Sequence, residues 1–414
     1  MTTLDLTGLT RVSRPYSVLF AAALACLAWI PSAAAQLAPK ASESYCTLIK
    51  SAEARNLCLA SREQFQKRDI RSALMTMRKA LAVSPQEGVI HALLARIIES
   101  GLHDSGAAEP ELRLALKNGA PRYTVLPLLF GVMVDRHEEI GLLSEFPDPA
   151  PGAKGDEAAD ILYGRATALM SLGRLDEAAA AMDRCLAVRH DIRALLGRAE
   201  IAVRQNNLPL ANKLVDAASG IDAKNESAQL AKLKLIQRSG DAARTLAASD
   251  KLIALYPDRA DPRLIKIETL LKLNQNAKAK AEVDALLAKS PKSNYGAYYN
   301  ALLLARANQK PQAMQIILAL PPTFVKNNPQ MALPIAEIAI ETGHPEVGSG
   351  ILGNAISAAP DLLDARLRLV ELRLSQNSPL SAQTLLAPVK DSHDPRVQKL
   401  LAKVQGQIAK DRAF

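Results

Sequence analysis

The sequence predicts an all-α fold, a solenoid of repeated helix-turn-helix units, from three features of its spacing. First, a Gly or Asn recurs at Gly173, Asn206, Gly240, Asn274, Asn308, Gly343 and Asn377, at steps of 33, 34, 34, 34, 35 and 34 residues. These two residue types best tolerate the left-handed backbone that closes a helix, so one turn is being built seven times. Second, a small residue stands five positions after nearly every turn: Ala178, Ala211, Thr245, Ala279, Ala313, Gly348 and Ala382. Small side chains there let two helices approach closely. Third, small or apolar residues recur seven positions before the turn (Ala166, Ala199, Leu233, Ile267, Ala301, Ala336, Val370) and twelve after it (Cys185, Ala218, Leu252, Leu286, Leu320, Ala355, Val389). Each unit is thereby a helix, a turn and a second helix, stacked on its neighbours.

Taken in order, the chain begins with Arg11 and Arg14 before an apolar run, SVLFAAALACLAWI (17–30), and small residues: a secretory signal over 1–35, cleaved after Ala35. A rival reading lipidates Cys26, but Ala23 stands where a Leu is usual. An uncleaved anchor is a third reading, although the run falls short of the ~20 residues that span a bilayer. Residues 36–44 read as a short leader within an N-terminal sub-array, 36–146. Its first repeat covers 56–85, with Ala73, Met77, Ala80 and Pro85 repeating the second-helix pattern. A second unit covers 89–119, with an enlarged turn from Gly101 to Gly106 and a second helix from Glu109 to Leu116. An irregular pair occupies 121–146, where Pro127 is expected near a helix start.

PDPAPGAKGD (147–156) holds three Pro and two Gly, cannot sustain a helix, and is expected to be a loop or hinge. The regular C-terminal array follows over 157–392. In its Gly240 unit Ala247 and Ala248 come late, which predicts a rotated or extended helix, and PPTFVKNNP (321–329) interrupts the array again. An amphipathic capping helix is expected over 393–414, since a last repeat has no neighbour.

The period, with SLGRLDEAAAAMDRCLAV (171–188), RANQKPQAMQIILAL (306–320) and the prolines Pro257 and Pro291, resembles the tetratricopeptide repeat (TPR) family. The resemblance implies a right-handed α-solenoid whose first helices line a concave groove. The usual aromatics are mostly Leu, Ala or Ile here. LRLALKNGA, YTVLPLLFGVM and ILYGRATALMSLGRLDEA look like the periplasmic TPR proteins of exopolysaccharide synthesis and export, including those of PEP-CTERM/exosortase systems.

The formal charge is +9, and removal of Asp5, Arg11 and Arg14 with the signal leaves +8, spread over many helices. Such modest basicity is usually solvated surface. Aromatics are 4% of the residues, and no nucleic-acid module or later transmembrane run stands out. Export to a periplasm permits disulfides. Cys46 and Cys58 flank a stretch with room for one turn, which would let them bond; one straight helix would instead hold them about 18 Å apart. Cys185 falls on a core position. The six histidines, His91, His103, His137, His190, His344 and His393, are scattered and read as turn or surface residues without metal-ligand spacing. No catalytic constellation, cofactor motif or phosphate loop is found.

The functional signal lies in the repeat phase. Two residues before successive turns stand Arg204, Arg238, Lys272 and Arg306, four cations at one height. By the resemblance, Arg193, Lys234, Tyr295 and Tyr298 face the same groove, with Tyr299 packed between helices. Such a ladder suits an anionic ligand, because arginine grips carboxylates bidentately. The same cations also suit a helix C-terminus, where dipole and unpaired carbonyls attract them. Two functions follow as expectations: a non-enzymatic exported scaffold that binds a protein partner in an envelope assembly, or direct binding of an anionic polysaccharide in the groove.

Overall fold

The computed structural model describes residues 45–67 and 69–412; the expected signal over 1–35, the expected leader over 36–44 and Cys26 lie outside the described residues. Hairpins of antiparallel helices follow one another: α1 (Ala52–Gln66) with α2 (Ile70–Val83), α3 (Gly88–Leu102) with α4 (Ser105–Lys117), α5 (Arg122–Asp135) with α6 (Glu139–Glu145), α7 (Asp156–Ser171) with α8 (Leu175–Val188), and α9 (Ile192–Arg204) with α10 (Leu208–Ile221). Then come α11 (Glu226–Arg238), α12 (Ala242–Leu255), α13 (Asp261–Lys272) with α14 (Asn276–Lys289), and α15 (Asn294–Arg306) with α16 (Lys310–Ala319). After the short α17 (Pro322–Asn327) the pattern resumes with α18 (Ala332–Glu341) and α19 (Pro345–Ala358), then α20 (Leu363–Ser375) and α21 (Pro379–Leu386), and ends in α22 (Pro395–Arg412).

The starts and stops are written in short polar side chains. Asp69, Asp104, Asp191, Asn207, Asn225 and Ser293 each accept a hydrogen bond from the backbone N–H three residues on, satisfying a donor that the first turn leaves unpaired. At the other end all seven turn residues have positive φ, from 51° at Asn377 to 83° at Gly343. The reversal brings the next N–H back onto a carbonyl near the helix end, as in Asn207 N–H to Ala202 O (2.7 Å) and Gln275 N–H to Leu270 O (2.9 Å). His103 (φ 55°) and His137 (φ 60°) build the turns of the two preceding hairpins, so the ladder begins earlier than its Gly and Asn members.

Every residue five after and seven before the seven turns is buried. Close packing is tight at Gly348, where an added Cβ would lie 2.6 Å from Ile340 Cγ1 and 3.0 Å from Ala336 O. Leu320 and Val389, twelve after their turns, are only half-buried, because α16 and α21 have already ended.

Several expectations are corrected. Gly101 and Gly106 both lie inside helices, so the turn at His103 is short and α4 starts at Ser105 rather than Glu109. Pro127 sits in the second turn of α5, not at its start. The helix after Gly240 is not rotated: Thr245, Ser249 and Leu252 are buried and Ala247 is exposed, which is the common phase.

Residues 147–155 form no helix, yet the segment is pinned: the Arg165 guanidinium donates to Leu143 O (2.8 Å) and Phe146 O (2.7 Å), and Arg184 holds Asp148 (2.6 Å) and Pro149 O. The chain divides into two compact units not there but between Arg244 and Thr245, inside the array assigned to 157–392. Within the first unit a disulfide joins Cys46 to Cys58, their Cα atoms 5.8 Å apart, because Leu48–Ser51 breaks the helical path between them. At the far end α22 buries Val397, Leu400 and Val404 against α21 and α20.

Candidate binding surface on the first helices

Each first helix ends with carbonyls that have no partner within the helix. Two members of the cation ladder answer that need one repeat back. The Arg204 guanidinium donates to Met170 O of α7 (3.3 Å), and the Arg306 guanidinium donates to Leu271 O of α13 (2.8 Å) and to Asn276 Oδ1 (3.0 Å). Arg238 and Lys272 are exposed instead. The ladder therefore splits into cations that tie repeats together and cations that face water.

In the first unit Arg204 pairs with Glu200 of α9. This carboxylate is 4% exposed; its Oε1 accepts from Arg204 Nε (3.0 Å), while Oε2 has no hydrogen-bond partner. Burial raises the Glu200 carboxyl above its usual range, and the charges of Arg204, Lys234 and Arg238 oppose the rise. Arg204 contacts the buried carboxylate, and Lys234 and Arg238 of α11 add positive field at it. In the second unit Lys272 is exposed at its surface, yet the surrounding protein desolvates its ammonium enough to draw it below the ordinary lysine range, with Glu268 pulling the other way.

Arg193 is committed to the fold. It donates to Asp160 Oδ1 (2.7 Å), lies 4.6 Å over the Tyr163 ring, and shares that 2%-exposed carboxylate with Arg189 (2.6 Å). The expectation that Tyr298 lines an open groove is also corrected. Its ring is 4% exposed, packed edge-on against Tyr299 (5.0 Å) and near Phe324 (6.0 Å), and burial pushes its hydroxyl above the usual range. Tyr295 is half-buried, edge-on to Phe324 (5.4 Å), and donates to Asn328 Oδ1 (2.7 Å). Tyr299, buried as expected, donates to Glu268 Oε1 (2.5 Å). His91 is neither a turn nor a surface residue: it is buried, with Nδ1 2.6 Å from Glu111 Oε2.

Sequence reasoning missed the counter-charges Asp160, Glu200 and Glu268. The signal was present, since Glu200 and Glu268 stand four residues before Arg204 and Lys272, and Asp160 stands 33 before Arg193. Among the described residues no group of three or more His, Cys, Asp or Glu is placed to hold a metal, and no helix is long and apolar enough to cross a membrane.

Helix pairs at a 34-residue step, closed by left-handed turns and packed through small residues, decide the fold class. The fold is an α-solenoid of tetratricopeptide-like helix-turn-helix repeats. No protein-family model and no curated protein matches the chain. Solved structures similar to it include yeast Tom70, 14% identical over 90% of this chain and 92% of that one, with a TM-score of 0.48. Others are a tetratricopeptide repeat protein from Parabacteroides merdae (15% identical, 74% of this chain and 100% of that one, TM-score 0.36) and PilW, a type IV pilus biogenesis factor (17% identical, 51% and 98%, TM-score 0.41). At these identities the likeness concerns the fold alone.

Proposed function

We propose that this chain is a non-enzymatic, exported scaffold that binds an acidic segment of a protein partner in a cell-envelope assembly, one that serves exopolysaccharide synthesis or export. The observation that carries the binding reading is the exposed Arg238 of α11 near the Arg204–Glu200 pair of α9, where Lys234 adds to the positive field. Arginine held in place by its own carboxylate keeps donors fixed for a second one, which lowers the entropy cost of binding. The Cys46–Cys58 bond supports an oxidising compartment, as the signal-like leader does.

Direct binding of an anionic polysaccharide remains the competing function, because an exposed cation does not distinguish a carboxylate on a peptide from one on a uronic acid. Burial of Tyr298 and Tyr299 favours the protein: no open aromatic platform for a sugar ring is present in that cluster. The test is affinity capture from intact cells after crosslinking, comparing the wild type with Arg238→Glu/Lys272→Glu. These two cations are exposed, whereas reversing Arg204 or Arg306 would also break bonds between repeats. One defined envelope protein lost in the variant supports the scaffold; acidic glycan alone, lost in the variant, replaces it with polymer handling.

A further inference from the structure

The repeat rule is broken most severely at α6, and the break makes a cleft. The second helix α6 has seven residues where α8 has 14. At 1.5 Å per residue the shortfall is about 10 Å of helix, roughly two turns. The pinned loop after α6 does not fill that length, and an open cleft of about 680 Å³ remains between α4, the start of α5 and α7. This lies within the ~300–1,000 Å³ usual for binding sites. Leu116, Phe146, Ala158 and Ile161 supply an apolar lining, and Pro147 and Pro149 stiffen one wall. Phe146 is fixed edge-on against Phe130 (4.8 Å), and Arg184 and Arg165 hold the loop, so little has to be ordered on binding.

The rim charges are not equivalent. Glu145 is gripped by both arms of Arg113 (2.8 and 3.1 Å), Asp148 by Arg184 (2.6 Å), and Glu157 by Arg122 (2.8 Å). Every lining carboxylate is thus neutralised. Lys154 is exposed and has no ion-pair partner among the described residues. The cleft therefore offers an apolar floor and one uncompensated cation at its edge.

We propose that this cleft docks a peptide segment of a partner protein, with one large apolar side chain seated against Leu116, Phe146 and Ile161 and a neighbouring carboxylate paired with Lys154. The proposal rests on the reading of the chain as a protein-binding array, and adds a second, chemically different contact to the cation-rich first helices. The segment takes the place beside α4 and α7 that two further turns of α6 would have occupied. Specificity comes from the apolar residue, since a single exposed ion pair contributes little.

The experiment pans a displayed library of random peptides on the full chain with its disulfide intact, then measures binding of an enriched synthetic peptide to wild type, Lys154→Glu, Ile161→Ala and Arg238→Glu. Enriched sequences with a Leu, Ile or Phe beside an Asp or Glu are expected. Lys154→Glu, an exposed change that leaves the core untouched, should weaken the peptide a few-fold and Ile161→Ala about tenfold, while Arg238→Glu, on the separate cation-rich surface, should weaken it less than Ile161→Ala does. Enriched peptides insensitive to both cleft variants but lost in Arg238→Glu would overturn the cleft and leave the protein-binding reading standing. Absence of any enriched peptide would overturn both.

Discussion

Two glycines of α19 make the packing account quantitative, because the same substitution is expected to act with opposite signs on one helix. A Cβ at Gly348 would meet Ile340 Cγ1 at 2.6 Å and the Ala336 carbonyl oxygen at 3.0 Å; at Gly353 nothing lies within 4 Å. Alanine in place of helical glycine stabilises by about 0.5–1 kcal/mol where space allows. At Gly348 the steric term is about 1–3 kcal/mol, since a backbone oxygen cannot swing aside as a side-chain end does. Gly348→Ala should therefore lose about 1–2 kcal/mol net, and Gly353→Ala should gain about 0.5–1 kcal/mol. Repeat arrays unfold locally, so the assay is amide hydrogen exchange of α19 alongside urea unfolding followed by circular dichroism. Faster exchange in α19 for the first variant and slower exchange for the second is the expected pattern. Equal effects of the two, or stabilisation by Gly348→Ala, would refute the claim that these small residues exist to let helices touch.

Arg306→Ala should destabilise the chain by about 1–2 kcal/mol, because Leu271 O and Asn276 lose a charged donor, whereas Arg238→Ala should change stability by less than about 0.5 kcal/mol; urea midpoints separate them. Reduction of the Cys46–Cys58 bond, which closes a 12-residue separation, should cost about 3 kcal/mol, read as faster exchange in α1 and α2. Asp135 is exposed as a residue, but partial desolvation of its carboxyl by the surrounding protein, with the nearby Glu99, pushes it up to about 6. The folded chain then holds this proton over a range where the unfolded chain, titrating near 4, has released it. Its contribution is fully present below about pH 4 and is lost as pH rises through 6, so Asp135→Asn should remove that slope from a stability profile.

The turns were legible in the sequence because left-handed backbone depends on the residue's own chemistry, and Gly and Asn announce it. The sequence reads His103 and His137 as turn or surface residues but not as members of the left-handed ladder, since histidine adopts that conformation less often, although they stand 34 residues apart. Helix phase was legible for the same local reason except in the Gly240 unit, where the late alanines suggest a rotated helix and Thr245 is buried instead. The candidate surface was half legible. The cations were found, but their use depends on atoms about one repeat away: Met170 O for Arg204, Leu271 O for Arg306, Asp160 for Arg193. Tyr298 was misplaced because its burial is set in part by Phe324, which lies in the irregular segment where the repeat gives no register. The stop of α6 was announced by Pro147 and the prolines after it, but the cleft was not, because its other walls come from α4, α5 and α7.

The binding claim is tested most directly by crosslinking intact cells that carry tagged wild type or Arg238→Glu/Lys272→Glu and identifying what is captured. A single envelope protein, recovered with the wild type and depleted at least several-fold in the variant, is the predicted result. Recovery of the same protein at equal yield from both would contradict a role for the exposed cations, and recovery of acidic glycan in its place would contradict the scaffold.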